Sequence, residues 1–242
     1  MNVLITRALA GALLLTTLLQ PVAAQDEKDE GPWSGSVALG YLATSGNSES
    51  SSFNFEFGIN YDAVKWHHEL TGRAFTSESE NDKTAENYRL GWNSQYDFTE
   101  FNYGFGRLES INDRFSSYDY QRFAALGYGR RILKTKKHLL NAEIGAGWQQ
   151  SKPEDLEKIS EGIIRLGGDY KWNITETSSF SQTLKVSSGR SNTFTIAVTE
   201  VKAAIYGALA LALSFTYQHN SDVVPGTDKT DTITAINLDY SF

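Results

Sequence analysis

The chain has 242 residues, four prolines, 20 glycines, 12% aromatic residues, no cysteine and a formal net charge of −7. An acidic chain lacks the clustered Lys and Arg that nucleic-acid phosphates demand. Without cysteine, a disulfide, a lipidated cysteine and a thiolate metal centre are all excluded. The mean hydropathy of −0.38 resembles that of a soluble protein, but an average conceals any sorting of residues by face.

In chain order, the first segment joins a positive Arg7 to an apolar stretch, Ala8 to Leu19, and ends in the small-residue site Val22-Ala23-Ala24. That is a cleaved signal peptide over 1–24, because the apolar stretch is shorter than the ~20 residues of a spanning helix. Its removal takes away only Arg7, so the net charge moves from −7 to −8. An acidic segment, 25–32, then precedes one domain over 33–242.

That domain alternates. SSFNFEFGINYD places Phe53, Phe55, Phe57, Ile59 and Tyr61 on one face and Asn54, Glu56, Gly58 and Asn60 on the other. NYRLGWNSQYDF, LLNAEIGAGWQQ and ALALALSFTYQHN repeat the pattern. Period two over such lengths predicts strands with one apolar and one polar face. Twelve are expected, near 33–44, 52–62, 66–76, 85–97, 101–111, 119–130, 138–150, 162–172, 179–188, 193–205, 209–220 and 231–242. The sixth and tenth, containing RFAALGYGR and AVTEVKAAI, alternate least cleanly. VKAAIYGALALALSF also has helical propensity. Its Leu-Ala alternation and the Tyr206-Gly207 turn favour two strands.

A periplasmic β-sandwich alternates too. The Gly, Asn, Gln and ionisable residues on the polar faces, and aromatics near the strand ends of the apolar faces, point instead to a lipid-facing barrel. Closure removes the edges that hydrocarbon cannot solvate. The expected fold is therefore all-β: a closed, transmembrane, antiparallel up-and-down barrel in the bacterial outer membrane, with both ends of the wall in the periplasm. Six short connections are expected outside: TSGNSESS, TSESENDKT, NDRFSSYD, SKPEDLEKIS, SSGRSN and SDVVPGTDKT.

Several motifs carry a family resemblance. Trp33-Ser34-Gly35, TSGNSES, LGYGRR, GAGW and the closing PGTDKTDTITAINLDYSF resemble the salt-induced outer membrane proteins, a Gram-negative family that is formally a domain of unknown function numbered 481. The resemblance implies an outer-membrane barrel and brings no substrate or catalytic residue. Outer-membrane barrels commonly close on an aromatic that the insertion machinery reads. Tyr240 and Phe242, sharing parity with Ile236 and Leu238, match that assembly signal.

Parity also assigns lumenal charges: Glu56, Glu69, Glu143, Asp169 and Asp239 against Arg73, Arg89, Arg165, Lys171 and Lys185. The signs balance, whereas a strongly selective pore shows a ring of one sign. Balance suggests pairing across the lumen, hence either a structural interior or a narrow passive pore. A catalytic alternative rests on TYQHNSD. His219 and Ser221 form a His-x-Ser pair of lipid-facing parity near the external end, with Asn192 placed to orient the histidine, the pattern of an outer-membrane lipid hydrolase. His67 and His68 are adjacent and point to opposite faces, so they cannot chelate together. Loop acids such as Glu78, Glu80 and Asp82 solvate the loop or hold calcium weakly. No cofactor or metal is expected. The expected partners are outer-membrane lipids, lipopolysaccharide and the barrel-assembly machinery.

Overall fold

A computed structural model describes residues 31–44, 50–80, 82–154 and 156–242. The 1–24 leader, most of the 25–32 segment and the tip of TSGNSESS lie outside those residues. The described chain is twelve strands: β1 (Trp33–Thr44), β2 (Ser50–Asp62), β3 (Trp66–Ser79), β4 (Asp82–Asp97), β5 (Asn102–Asp113), β6 (Tyr118–Lys134), β7 (His138–Pro153), β8 (Ile159–Asn173), β9 (Ser178–Ser188), β10 (Thr193–Tyr206), β11 (Leu209–Asn220) and β12 (Thr230–Ser241). Each pairs antiparallel with its sequence neighbour, and β1 pairs with β12, closing the barrel. Closure satisfies the backbone without an edge, as a wall in hydrocarbon requires. Short turns join strands at one end, here the turn end; the other connections, including the longest at 221–229, lie at the loop end.

The predicted strands are all present, several of them longer than the alternation implied. TSESENDKT, read as a loop, is largely strand, with Ser79 paired to Asp82. Beyond the apolar band both faces are wetted, so the period-two signal fades while backbone pairing continues. Residues 193–220 form β10 and β11, with Gly207 at φ 53° in the turn between them. Only glycine adopts that left-handed conformation without cost.

The register sorts side chains as lipid demands, with exceptions. Trp33, Trp66, Trp92, Trp148 and Trp172 all face outward. Aromatic clusters gather at the turn end: Trp66 lies against Tyr96 and His68, and His138 stacks on Tyr170 and Trp172. This is an interfacial girdle, where amphipathic rings meet headgroups.

The exceptions are on β5, β6, β8 and β10. Ile111, Phe123, Ile163, Phe194 and Ile196 point inward and form one buried apolar cluster, with Val198 packed against it. The expected polar bore is thus corrected: an apolar layer crosses it toward the loop end, with buried polar residues such as Gln121, Gln218 and Asn220 beside it. The poor alternation of RFAALGYGR has the same cause, since Phe123 and Ala125 face in while Ala124 and Leu126 face out.

Candidate functional site

The inward side chains form layers along the bore. At the turn-end rim, His67 lies 2.8 Å from Asp62 and 3.3 Å from Asp97, which also pairs with Arg131 at 2.9 Å. Above it lies a polar cavity of about 440 Å³, lined by Asn93, Arg107, Asn141, Glu143, Asp169 and Lys185 among others. Arg107 meets Glu143 at two points, a hydrogen bond from Nη2 to Oε1 at 2.9 Å and an ion-pair contact between Nη1 and Oε2 at 2.8 Å, while its Nε donates to Asn93 at 3.1 Å. The Tyr103 hydroxyl donates to the same carboxylate at 3.0 Å. Such charge-assisted bidentate pairing fixes both strands.

The next layer spans the bore. Arg165 Nη2 meets Glu109 Oε2 at 2.9 Å, and Arg89 approaches Glu109 at 3.8 Å. Arg89 also donates to Gln218 at 3.1 Å, linking β4 to β11, five strands away around the wall. Arg73 reaches Glu56 at 3.4 Å and donates to Asn54 and to Thr216 of β11. Lys202 bonds Asp239 at 2.8 Å. Above these lies the apolar cluster, in which Phe123 and Phe194 stack with centroids 5.6 Å apart across four strand steps. Arg165 sits under the Phe123 ring at 5.8 Å. Gln121 donates to Asn220 at 3.0 Å, again bridging β6 and β11.

The structure places the sequence-assigned charges as follows. Glu56 and Arg73 meet each other, Arg89 and Arg165 converge on Glu109, Glu143 joins Arg107, and Asp239 joins Lys202. Glu69, Asp169 and Lys185 line the cavity, and Asp169 accepts the Thr183 hydroxyl at 2.9 Å. Lys171 pairs in register with Leu139 and Ser181 on the inward parity. Tyr240 and Phe242 face outward and stack at 6.3 Å, with the Phe242 ring over Gly35. Parity on the cleaner strands missed four inward-facing charges: Arg107, Glu109 and Lys202, which pair with the assigned ones, and Glu200. On β5, Tyr103, Phe105 and Ile111 share the inward face with Arg107 and Glu109, so hydropathy misassigns that strand. Pairing β10 against the cleanly alternating β11, with Val201 opposite Leu213, would have placed Glu200 and Lys202 inward.

The His-x-Ser constellation is arranged differently from the catalytic pattern. His219 Nδ1 lies 2.9 Å from the Thr230 hydroxyl and stacks on Tyr217. Ser221 Oγ accepts the Thr193 N–H at 2.8 Å and donates to Asn192 at 3.2 Å. Asn192 is buried, accepts the Asp222 N–H and donates to Asn220. Asn192 therefore organises the 189–192 and 221–229 connections around Ser221. It does not orient His219.

A closed, even-numbered, antiparallel barrel with an apolar outer band, an aromatic girdle and a charge-crossed interior has the fold of the outer-membrane barrels. It matches the COG4313 outer membrane channel from Pseudomonas putida F1 with a TM-score of 0.50 at 10% identity, over 90% of this chain and 100% of that one. The translocator domain of the autotransporter NalP from Neisseria meningitidis aligns with a TM-score of 0.48 at 11% identity, over 98% of each chain. Within this class, the chain belongs to the family described as "Protein of unknown function, DUF481", which matches residues 37–242. It is 27% identical to the uncharacterized protein YdiY of Escherichia coli (strain K12) over 235 residues, covering 97% of this chain and 91% of that protein.

Proposed function

We propose that this protein is exported by its 1–24 leader and stands in the outer membrane with its loop end outside, as a structural barrel whose bore is closed to passive flow. One observation carries the reading: the Phe123–Phe194 stack at 5.6 Å across the bore, within a buried cluster contributed by four strands. An apolar constriction disfavours water and ions even before it is sterically shut. The ion pairs beneath it add cross-ties, which favours a stiff wall over a selective channel. The likeness to the Pseudomonas channel is one of fold, and conduction is not carried over from it. A link to osmotic conditions, implied by the salt-induced resemblance, belongs to the same proposal; growth of a deletion strain across a salt series tests it.

Planar-bilayer recording tests the closure. The wild-type barrel is expected to give no conductance steps, and the Ile111→Ala/Phe123→Ala/Phe194→Ala variant to give discrete ones. Wild-type steps as large as those of the variant overturn the closed bore. Membrane fractionation and heat-modifiable electrophoretic mobility test the location and the barrel separately.

A further inference from the structure

The outward wall over β4–β7 is dented. Trp92, Leu108, Ala124 and Trp148 stand side by side on successive strands, and Gly106, Leu126 and Ala146 lie one row toward the turn end, with the Leu126 side chain leaning over Gly106. Small residues between two indoles leave a groove of about 330 Å³ on the face that meets acyl chains. One row toward the loop end the apolar character stops on β5–β7, at Ser110, Arg122 and Gln150, while β4 still carries Leu90.

The height of that row follows from β6. Its outward run Ala124, Leu126, Tyr128 is bracketed by Arg122 and Arg130. Eight residues on a strand tilted by ~40° rise ~20 Å along the membrane normal, close to the ~25 Å apolar band of such barrels. Arg122 thus marks the boundary between acyl chains and headgroups. It is exposed, and its guanidinium lies 4.5 Å over the Tyr120 ring. Among the described residues no carboxylate pairs with it. Stacking leaves the edge of the guanidinium, with its N–H fork, free for a planar or tetrahedral oxyanion.

A cation without a counter-ion, at the head of an acyl-sized groove, calls for an anionic lipid. We infer that the groove takes one acyl chain of a lipid A-type phosphorylated saccharolipid whose phosphate binds Arg122, with Ser110 and Gln150 beside the sugar. The choice of lipid A over a phospholipid rests on the proposed orientation, which puts this row in the outer leaflet, and on the hydroxyl and amide flanking the cation.

Native mass spectrometry of the detergent-solubilised barrel, titrated with lipid A, dephosphorylated lipid A and phosphatidylglycerol, tests this. Expected is retention of one lipid A at least ten-fold above the other two, with Arg122→Gln abolishing the preference and Arg122→Lys keeping part of it. Ala124→Phe fills the groove and loses lipid A while its heat-modifiable mobility stays wild type; Ala146→Leu serves if Ala124→Phe does not fold. Equal retention by wild type and Arg122→Gln overturns the proposal. So does equal retention of phosphatidylglycerol, or a dimer of this chain abolished by Ala124→Phe with no lipid bound. Thiol labelling of Thr227→Cys on intact cells reports the orientation by itself, so a failure of the topology and a failure of the lipid site are separate results.

Discussion

Removing Glu143 isolates Arg107 inside the barrel, and the cost can be worked from the contacts. Glu143→Ala deletes the guanidinium hydrogen bond to Oε1 at 2.9 Å and the ion-pair contact to Oε2 at 2.8 Å, and strands the Tyr103 hydroxyl that also donates to Oε1. Arg107 and Glu143 have side-chain exposures of only 12% and 4%. A dry pair broken in this way costs ~3–5 kcal/mol. Here the 440 Å³ polar cavity adjoins both residues, and Asn93 still accepts from the guanidinium. Water admitted there recovers part of the loss, so about 2–3 kcal/mol is expected. Arg107→Met should cost about 2 kcal/mol, and the double variant should fall short of the sum by about 2 kcal/mol of coupling. Urea unfolding in lipid vesicles, followed by tryptophan emission, measures all four corners of the cycle. A coupling below about 0.5 kcal/mol would refute the claim that this pair ties β5 to β7.

Further outcomes follow from other contacts. A side chain at Gly129 collides with the Tyr103 ring, so Gly129→Val should cost about 1–3 kcal/mol, and Tyr103→Ala in the same chain should relieve most of it; an additive pair of losses contradicts that packing. All five tryptophans face outward, so brominated lipids should quench essentially all of the emission of the inserted barrel; a residual protected fraction would place an indole inside. Ser221→Ala removes the acceptor of the Thr193 N–H and the donor to Asn192, costing about 1 kcal/mol in unfolding assays. The same variant should release acyl chains from phospholipid and lipid A no more slowly than wild type. A serine-dependent fall in acyl release would instead favour the hydrolase.

Legibility in the sequence tracked how purely each strand obeys one rule. β2, β4, β7 and β11 were readable because lipid on one side and polar partners on the other leave a strict alternation. β5 was misleading because its inward face carries both Arg107 and Phe105, while its outward face carries Gly104, Gly106 and Ser110. Parity identified Arg165 and Glu143 as lumenal but could not name their partners, since the partner depends on which strands curve to face each other. The closing cluster draws on residues from Ile111 to Ile196, each unremarkable in its own segment. Only the curvature of a closed wall brings Phe123 opposite Phe194. Balanced charges pointed to pairing across the lumen, and so to a structural interior or a narrow passive pore, but they gave no sign of the apolar cluster beside those pairs.

The wall is not equally well stitched around its circumference. β1 and β2 share twelve register partners, whereas β1 and β12 share four, from Ser36↔Ser241 to Leu39↔Leu238, clipped at the turn end by reciprocal Gly35–Phe242 backbone bonds. Opening elsewhere must break a long ladder, but parting this suture breaks a short one. If the wall parts first where its ladder is shortest, tightening those few rungs should lengthen the lifetime of the assembled protein more than an added contact inside.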